Sequence, residues 1–205
     1  MAVFPNDPAA TIPERFQGLI FDCDGTLVDT MPLHYLAWKD ALQAVGITIT
    51  EEQFYVFSGM PTVTIAETLA NQQNVICDIR ALAEEKERLY LANIKSFKPI
   101  HSVIEIVHRE KGRRKMAVAT GCWTSVVKQT LTAVGLDGMF DAIVGADEVK
   151  HGKPAPDIFL TAAERLGLKP DECLVYEDGN LGIQAAAAAG MQVIDVRPWY
   201  LPNRG

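Results

Sequence analysis

The sequence predicts an α/β protein: a parallel sheet covered by helices on both faces, interrupted after its first strand by an all-helical insertion. Three observations carry this. Short apolar runs recur along the chain, and several stop at a polar residue. Amphipathic stretches with helical spacing separate them from residue 101 onward. The block 31–95 holds helix-like patterns with no strand-like run between them. Alternating strand and helix signals indicate parallel pairing, and strands buried on both faces read as near-continuous apolar runs.

In chain order, the first strand covers 18–22 and ends on Asp22. The insertion follows. Leu33, Leu36, Ala37, Leu42 and Val45 fall at helical spacing, and a second pattern covers 62–70. A third covers 79–94, with Glu84, Glu85, Lys86, Glu87 and Arg88 assigned to its wet side. Gly46 and Gly59 read as helix stops or turns. The chain rejoins the sheet near Phe97-Lys98-Pro99. A helix over 101–111 leads to a strand over 115–120 that ends on Thr120, and a helix over 124–135 to a strand over 141–145. A helix over 156–167, begun by a proline, precedes the strand 173–178, which ends on Glu177-Asp178. The helix 180–189, whose alanine run is read as close packing on the sheet, precedes the strand 191–196. The tail beyond Arg197, with Pro198, Trp199, Tyr200 and Pro202, either packs on the body or meets a partner. Ligands of such sheets gather at the carboxyl ends of the strands, so Asp22, Thr120 and Glu177-Asp178 are expected on one edge.

A chain of 205 residues can build one substantial core, or a core plus a smaller unit. Its formal net charge of −7 argues against a nucleic-acid partner, which would need a basic field; the run Lys111-Gly112-Arg113-Arg114-Lys115 reads as a solvated loop. Cys23, Cys77, Cys122 and Cys173 show no metal-ligand spacing, and three of them sit in or beside apolar runs as small hydrophobes. The first sixteen residues hold no apolar core of a signal peptide, and no run of eighteen apolar residues exists. A reducing cytoplasm is therefore the expected compartment, with no membrane partner; nothing in the sequence argues against a monomer.

The most informative stretch is Asp22-Cys23-Asp24-Gly25-Thr26-Leu27-Val28-Asp29-Thr30. Two acids two residues apart after a buried strand can face one cavity, and two anions there need a shared cation or proton. Magnesium meets that need, because it takes oxygen ligands and bridges to phosphate. Read locally, Asp-Gly is also a common turn pair. Thr120-Gly121 offers a hydroxyl and backbone N–H groups to phosphate oxygens, or equally a cap for the next helix. Lys153 precedes a helix and can neutralise phosphate and nucleophile together, although most lone lysines are only solvated. Glu177-Asp178 places adjacent acids at a buried strand end, which is costly without function, while Asp178 can also cap the helix that follows.

These elements, in this order and each at a strand end, resemble the haloacid dehalogenase superfamily, in particular its β-phosphoglucomutase and sugar-phosphate phosphatase subgroup. The resemblance implies a Rossmann-like core over 17–30 and 96–205, with residues 31–95 as a helical cap. It implies that Asp22 is nucleophile and metal ligand. Asp24 would be the general acid/base, binding magnesium through its carbonyl. Thr120 and Lys153 would hold the transferring phosphate, while Glu177 and Asp178 would complete the metal site.

Within that subgroup, β-phosphoglucomutases carry an arginine after the cap glycine and a Ser-Lys-Asn run after the second motif. Here Thr62 takes the first position, and Cys122-Trp123-Thr124 follows Thr120-Gly121. The expectation is a Mg2+-dependent phosphatase of small sugar phosphates, hexose-phosphate-like, working through an aspartyl phosphate. A phosphohexomutase is the alternative, and a non-catalytic phosphosugar-binding protein a third reading. His34 and Trp38, one helical turn apart, either position the acid or simply pack. Together with Ser58, Thr62, Gly121, Trp123 and Asn180 they are the candidate substrate contacts. Asp29-Thr30 reads as a hinge, or Thr30 as the cap of the helix that follows.

Overall fold

The computed structural model describes residues 7–200. Strands β1 (Gly18–Phe21), β2 (Lys115–Ala119), β3 (Ala142–Val144), β4 (Cys173–Glu177) and β5 (Gln192–Asp195) form one parallel sheet in the order β3-β2-β1-β4-β5. The chain winds first to one side of β1 and then to the other, so β1 flanks the point where strand order reverses. Phe21 is level with Val118 and with Tyr176. That in-phase register brings Asp22, Thr120 and Glu177-Asp178 to one edge, where open α/β sheets bind ligands.

Side-chain alternation builds two cores on this sheet. Leu19, Phe21, Met116, Val118, Leu174 and Tyr176 face α5 (His101–Glu110) and α6 (Thr124–Ala133). Ile20, Ala117, Ala119 and Val175 face α7 (Asp157–Leu166) and α8 (Asn180–Ala188). Ala185 and Ala186 of α8 are buried, so the alanine run is a packing surface with small side chains. Trp199, in the short α9 (Arg197–Tyr200), packs on Tyr176 with ring centroids 6.1 Å apart, which ties this part of the tail to the body; Pro202 lies outside the described residues.

Between β1 and β2 lie α1 (Met31–Gln43), α2 (Glu51–Val56), α3 (Thr62–Gln72) and α4 (Ile79–Leu91). They share a core of their own around Trp38, Leu42, Phe54, Ile65, Leu69 and Leu82. Two linkers join this block to the sheet and run side by side: Asp29 N–H donates to the Lys98 carbonyl and Ile100 N–H to that of Leu27. Gly46 and Gly59 adopt left-handed backbone, with φ of 78° and 89°. Helix α2 has no counterpart in the sequence reading, because six residues are too short to show a period. Its start was legible all the same: Thr50 and Gln53 form a reciprocal capping box.

One expectation is corrected here. Lys86 and Glu87 do not lie on the wet side of α4; they are 2% and 3% exposed. The buried face is Leu82, Ala83, Lys86, Glu87 and Tyr90, two adjacent rows whose members follow one another at one helical turn. Charge can stay buried there because the two residues pair with each other and with groups on neighbouring helices. Among the described residues, no helix is long and apolar enough to cross a membrane.

Candidate active site

Asp22 follows β1, and the chain then turns tightly, with the N–H groups of Thr26, Leu27 and Val28 all directed to the Cys23 carbonyl. Gly25 makes this turn possible: its φ is 88°, and a Cβ there would overlap the Asp178 carboxylate. Thr26 Oγ1 donates to Asp178 Oδ1 at 3.0 Å. Lys153, fully covered, reaches in from the loop before α7 and donates to Asp22 Oδ1 and Glu177 Oε2, each at 2.7 Å. Glu177 is committed on its other oxygen as well, since Oε1 accepts the N–H groups of Asp178 and Gly179 at 3.1 and 2.8 Å. Glu177 therefore holds Lys153 in place, whatever else it binds.

Oxygens of Asp22, Glu177 and Asp178 lie within 4.8 Å of one another. Burial, reinforced by Glu177, pushes the Asp22 carboxyl up to about 8, although Lys153 pulls the other way. Asp178 is raised for the same reasons, burial first and then repulsion from Glu177 and Asp22. Burial alone would lower Lys153, but Asp22 and Glu177 outweigh it and the ammonium is held more firmly than usual. Three acids facing one lysine leave an excess of negative charge in a dry site. An all-oxygen donor set of this kind suits a hard divalent cation.

Asp24 belongs to a second network. Its Oδ1 accepts from Thr30 Oγ1 at 2.6 Å and from Tyr90 Oη at 3.0 Å, and Oδ2 accepts from Cys122 Sγ at 3.2 Å. His34 Nε2 lies 2.9 Å from Oδ1, without good hydrogen-bond alignment. Burial would raise the Asp24 carboxyl; the His34 ring, with the Thr30 and Cys122 donors, outweighs it and holds it well below the usual range. Lys86 Nζ is 2.7 Å from His34 Nδ1 and 3.0 Å from Glu87 Oε1, and Thr62 Oγ1 donates to Glu87 Oε1 at 2.6 Å. An ammonium has only donors, so Nδ1 accepts and the ring proton sits on Nε2, toward Asp24. That tautomer removes His34 as a metal ligand, although Asp24, His34 and Cys122 cluster closely enough to suggest one.

The cavity between the two networks is lined by Asp22, Asp24, Thr120, Gly121 and Cys122 from the sheet edge, and by His34, Trp38, Ser58, Thr62 and Lys86 from the helical block. Its volume is about 50 Å³, far less than a sugar phosphate needs. The helical block thus sits close over the sheet edge. Gly121 sits so near the 57–61 loop that a Cβ would lie 2.8 Å from the Gly59 carbonyl oxygen. Thr120 Oγ1 accepts from Cys122 N–H at 3.1 Å and keeps its own proton to donate. Asn180 stands apart: it is exposed, its Oδ1 accepts from Arg197 Nη1 at 3.0 Å, and it lines a neighbouring outer pocket with Asp178. Trp123 packs on the core and is absent from the lining among the described residues.

Thr30 is the N-cap residue of α1, but its hydroxyl goes to Asp24 instead of the helix. Tyr90, Cys122, Lys86 and Glu87 escaped the sequence reading as site residues. A buried helical stripe broken by two charged residues was the available signal for Lys86 and Glu87; Cys122 read as a small hydrophobe and gave none.

Strand-end acids around a buried lysine, under a helical block inserted after β1, define a hydrolase of the haloacid dehalogenase class, and the chain belongs to that family. The model for haloacid dehalogenase-like hydrolases matches residues 19–196. Over 185 residues the chain is 43% identical to the fructose-1-phosphate phosphatase YqaB of Escherichia coli, covering 90% of this chain and 98% of that protein. It is 31% identical to the phosphorylated carbohydrates phosphatase of Thermotoga maritima, over 87% of this chain and 83% of that one. Among solved structures, the β-phosphoglucomutase of Clostridium difficile superposes with a TM-score of 0.79 at 26% identity, covering 87% and 83% of the two chains.

Proposed function

We propose that the protein is a magnesium-dependent phosphatase of small sugar phosphates, with fructose 1-phosphate the first substrate to test. The observation that carries the reading is the pair of networks facing each other across one small cavity. One presents a carboxylate nucleophile held by lysine; the other presents a carboxyl group surrounded by donors. The named activities of the Escherichia coli and Thermotoga maritima relatives support it.

In the first step the Asp22 carboxylate attacks phosphorus, and Asp24 gives a proton to the departing sugar oxygen. In the second, Asp24 takes a proton from the water that cleaves the aspartyl phosphate, returning Asp22. Lys153 offsets charge on Asp22 and on the transferring group, and Thr120 donates to its oxygens. Magnesium would be held by Asp22 and Asp178, with the Asp24 carbonyl as the resemblance implies, and would neutralise charge on the phosphoryl oxygens. Asp24 is held in its ionised form by its donors, whereas the first step needs it protonated; a phosphate arriving beside it shifts it the right way. His34 and Lys86 come from the 31–95 block, which we take to be a cap, so the acid is fully assembled only when the cap is shut. Closure also excludes bulk water from the transferring group.

Phosphate release from a panel of hexose and pentose phosphates, with magnesium and beside an Asp22→Asn control, tests the reading. Release by the native protein and none by the variant is expected. Conversion of β-glucose 1-phosphate to glucose 6-phosphate, dependent on a bisphosphate activator, would replace it with a mutase.

A further inference from the structure

The inference rests on the phosphatase reading and concerns what its substrate can carry besides the transferred phosphate. A phosphoryl group seated at Asp22 and Thr120 directs the rest of its molecule across the cavity, toward Trp38, Thr62 and Lys86. Lys86 is the sole lysine or arginine among the described residues that lines this cavity. An unpaired buried ammonium there would attract a second anionic group. It is not unpaired: Glu87 Oε1 lies 3.0 Å from Nζ, and Thr62 Oγ1 donates to the same oxygen at 2.6 Å. Glu87 Oε2 has no hydrogen-bond partner among the described residues and no access to water. A buried carboxylate behind the wall cancels the attraction of Lys86 for an anion in the cavity, because low-dielectric surroundings screen little.

We propose that Glu87 restricts the site to substrates with a single phosphate, by neutralising Lys86 in the cap wall. Its positioning partners, Thr62 and Lys86, line the cavity and hold the carboxylate just behind that wall, so its charge cancels that of the cation a distal phosphate would meet there. Sugar hydroxyls carry no charge and are admitted.

The experiment compares fructose 1-phosphate with fructose 1,6-bisphosphate in the native protein and in Glu87→Gln, which keeps the acceptor for Thr62 and removes the charge. In the native protein the monophosphate should have the higher kcat/KM by at least about tenfold, equivalent to about 1.4 kcal/mol. In the variant that ratio should shrink by at least about tenfold, chiefly through a lower KM for the bisphosphate, and the gain should fade with added salt. Binding is read separately without turnover: on an Asp22→Asn background, adding Glu87→Gln should tighten Kd for the bisphosphate about tenfold and change that for the monophosphate by less than about threefold. Absence of turnover by the native protein would count against the phosphatase reading, while the Kd comparison would still decide the role of Glu87. Should Glu87→Gln fail to fold, Glu87→Met removes the charge at similar volume and carries the same measurements. Equal selectivity in native and variant proteins, or a native protein that takes both sugars equally, overturns the proposal.

Discussion

At the scale of single residues, the site is governed by carboxylates placed where each costs most. Between its ordinary value of 3.8 and about 8, folded Asp22 keeps a proton that the unfolded chain has released. The folded state then binds more protons than the unfolded one, so stability falls as pH climbs through that window. A divalent cation held there, as proposed, would displace the proton and offset the repulsion. Thermal denaturation of metal-free protein should therefore show Tm decreasing from pH 5 to pH 8, and the rise in Tm caused by magnesium should grow across the same range. A magnesium effect that is flat with pH would remove Asp22 from the metal site. Lys153→Met leaves two buried acids without their counter-charge. Breaking a buried pair in this way costs about 3–5 kcal/mol, read as a lower denaturation midpoint that magnesium partly restores. Turnover should fall on the order of 10³-fold, the usual scale for removing a transition-state charge partner. An active Lys153→Met protein would show that the lysine is structural only.

At the scale of elements, the decisive contacts join α4 and the 57–61 loop to the sheet edge. Tyr90 stacks on His34 with centroids 3.8 Å apart and donates to Asp24, and Lys86 fixes the tautomer of the same histidine. Lys86→Met should free Nδ1 to take the proton. The expected loss in kcat is about 10- to 100-fold, with a displaced pH profile and little change in KM, as for a residue that positions an acid. A KM effect alone would place Lys86 in binding instead. Gly121→Ala tests the loop. The new Cβ would press on the Gly59 carbonyl, which is backbone and cannot swing away. Closure should be impaired, with kcat/KM down about tenfold or more and Tm nearly unchanged. Unaltered kinetics in this variant would mean that catalysis does not need the loop this close.

At the scale of the whole molecule, a cavity of about 50 Å³ is too small for a sugar phosphate, so access of substrate to Asp22 is expected to involve movement of the 31–95 block. The paired linkers at 28–30 and 98–100 are the place for that motion, because they are the covalent connections between the block and the sheet. Hydrogen exchange of the Asp29 and Ile100 amides measures it. Both should exchange faster in the free protein than with magnesium and orthovanadate bound, since a phosphoryl mimic favours the closed state. Identical protection in the two states would place the opening elsewhere.

Much of this molecule was legible in its sequence, for a local reason. Strand runs, helix periods and the acids at strand ends are properties of a few consecutive residues, and parallel register carries them to one edge. Asp22, Asp24, Thr120, Lys153 and Asp178 were singled out in that way, and the structure gathers them at one end of the sheet. What only the tertiary structure decided is which distant groups meet. Tyr90 reaches Asp24 across 66 positions, and Lys86 reaches His34 across 52. Lys86 and Glu87 looked solvated because charge usually is, yet helix packing buries them as a pair. No local pattern encodes such partners; burial energies depend on what lies opposite, and that is settled only when the helices close on the sheet.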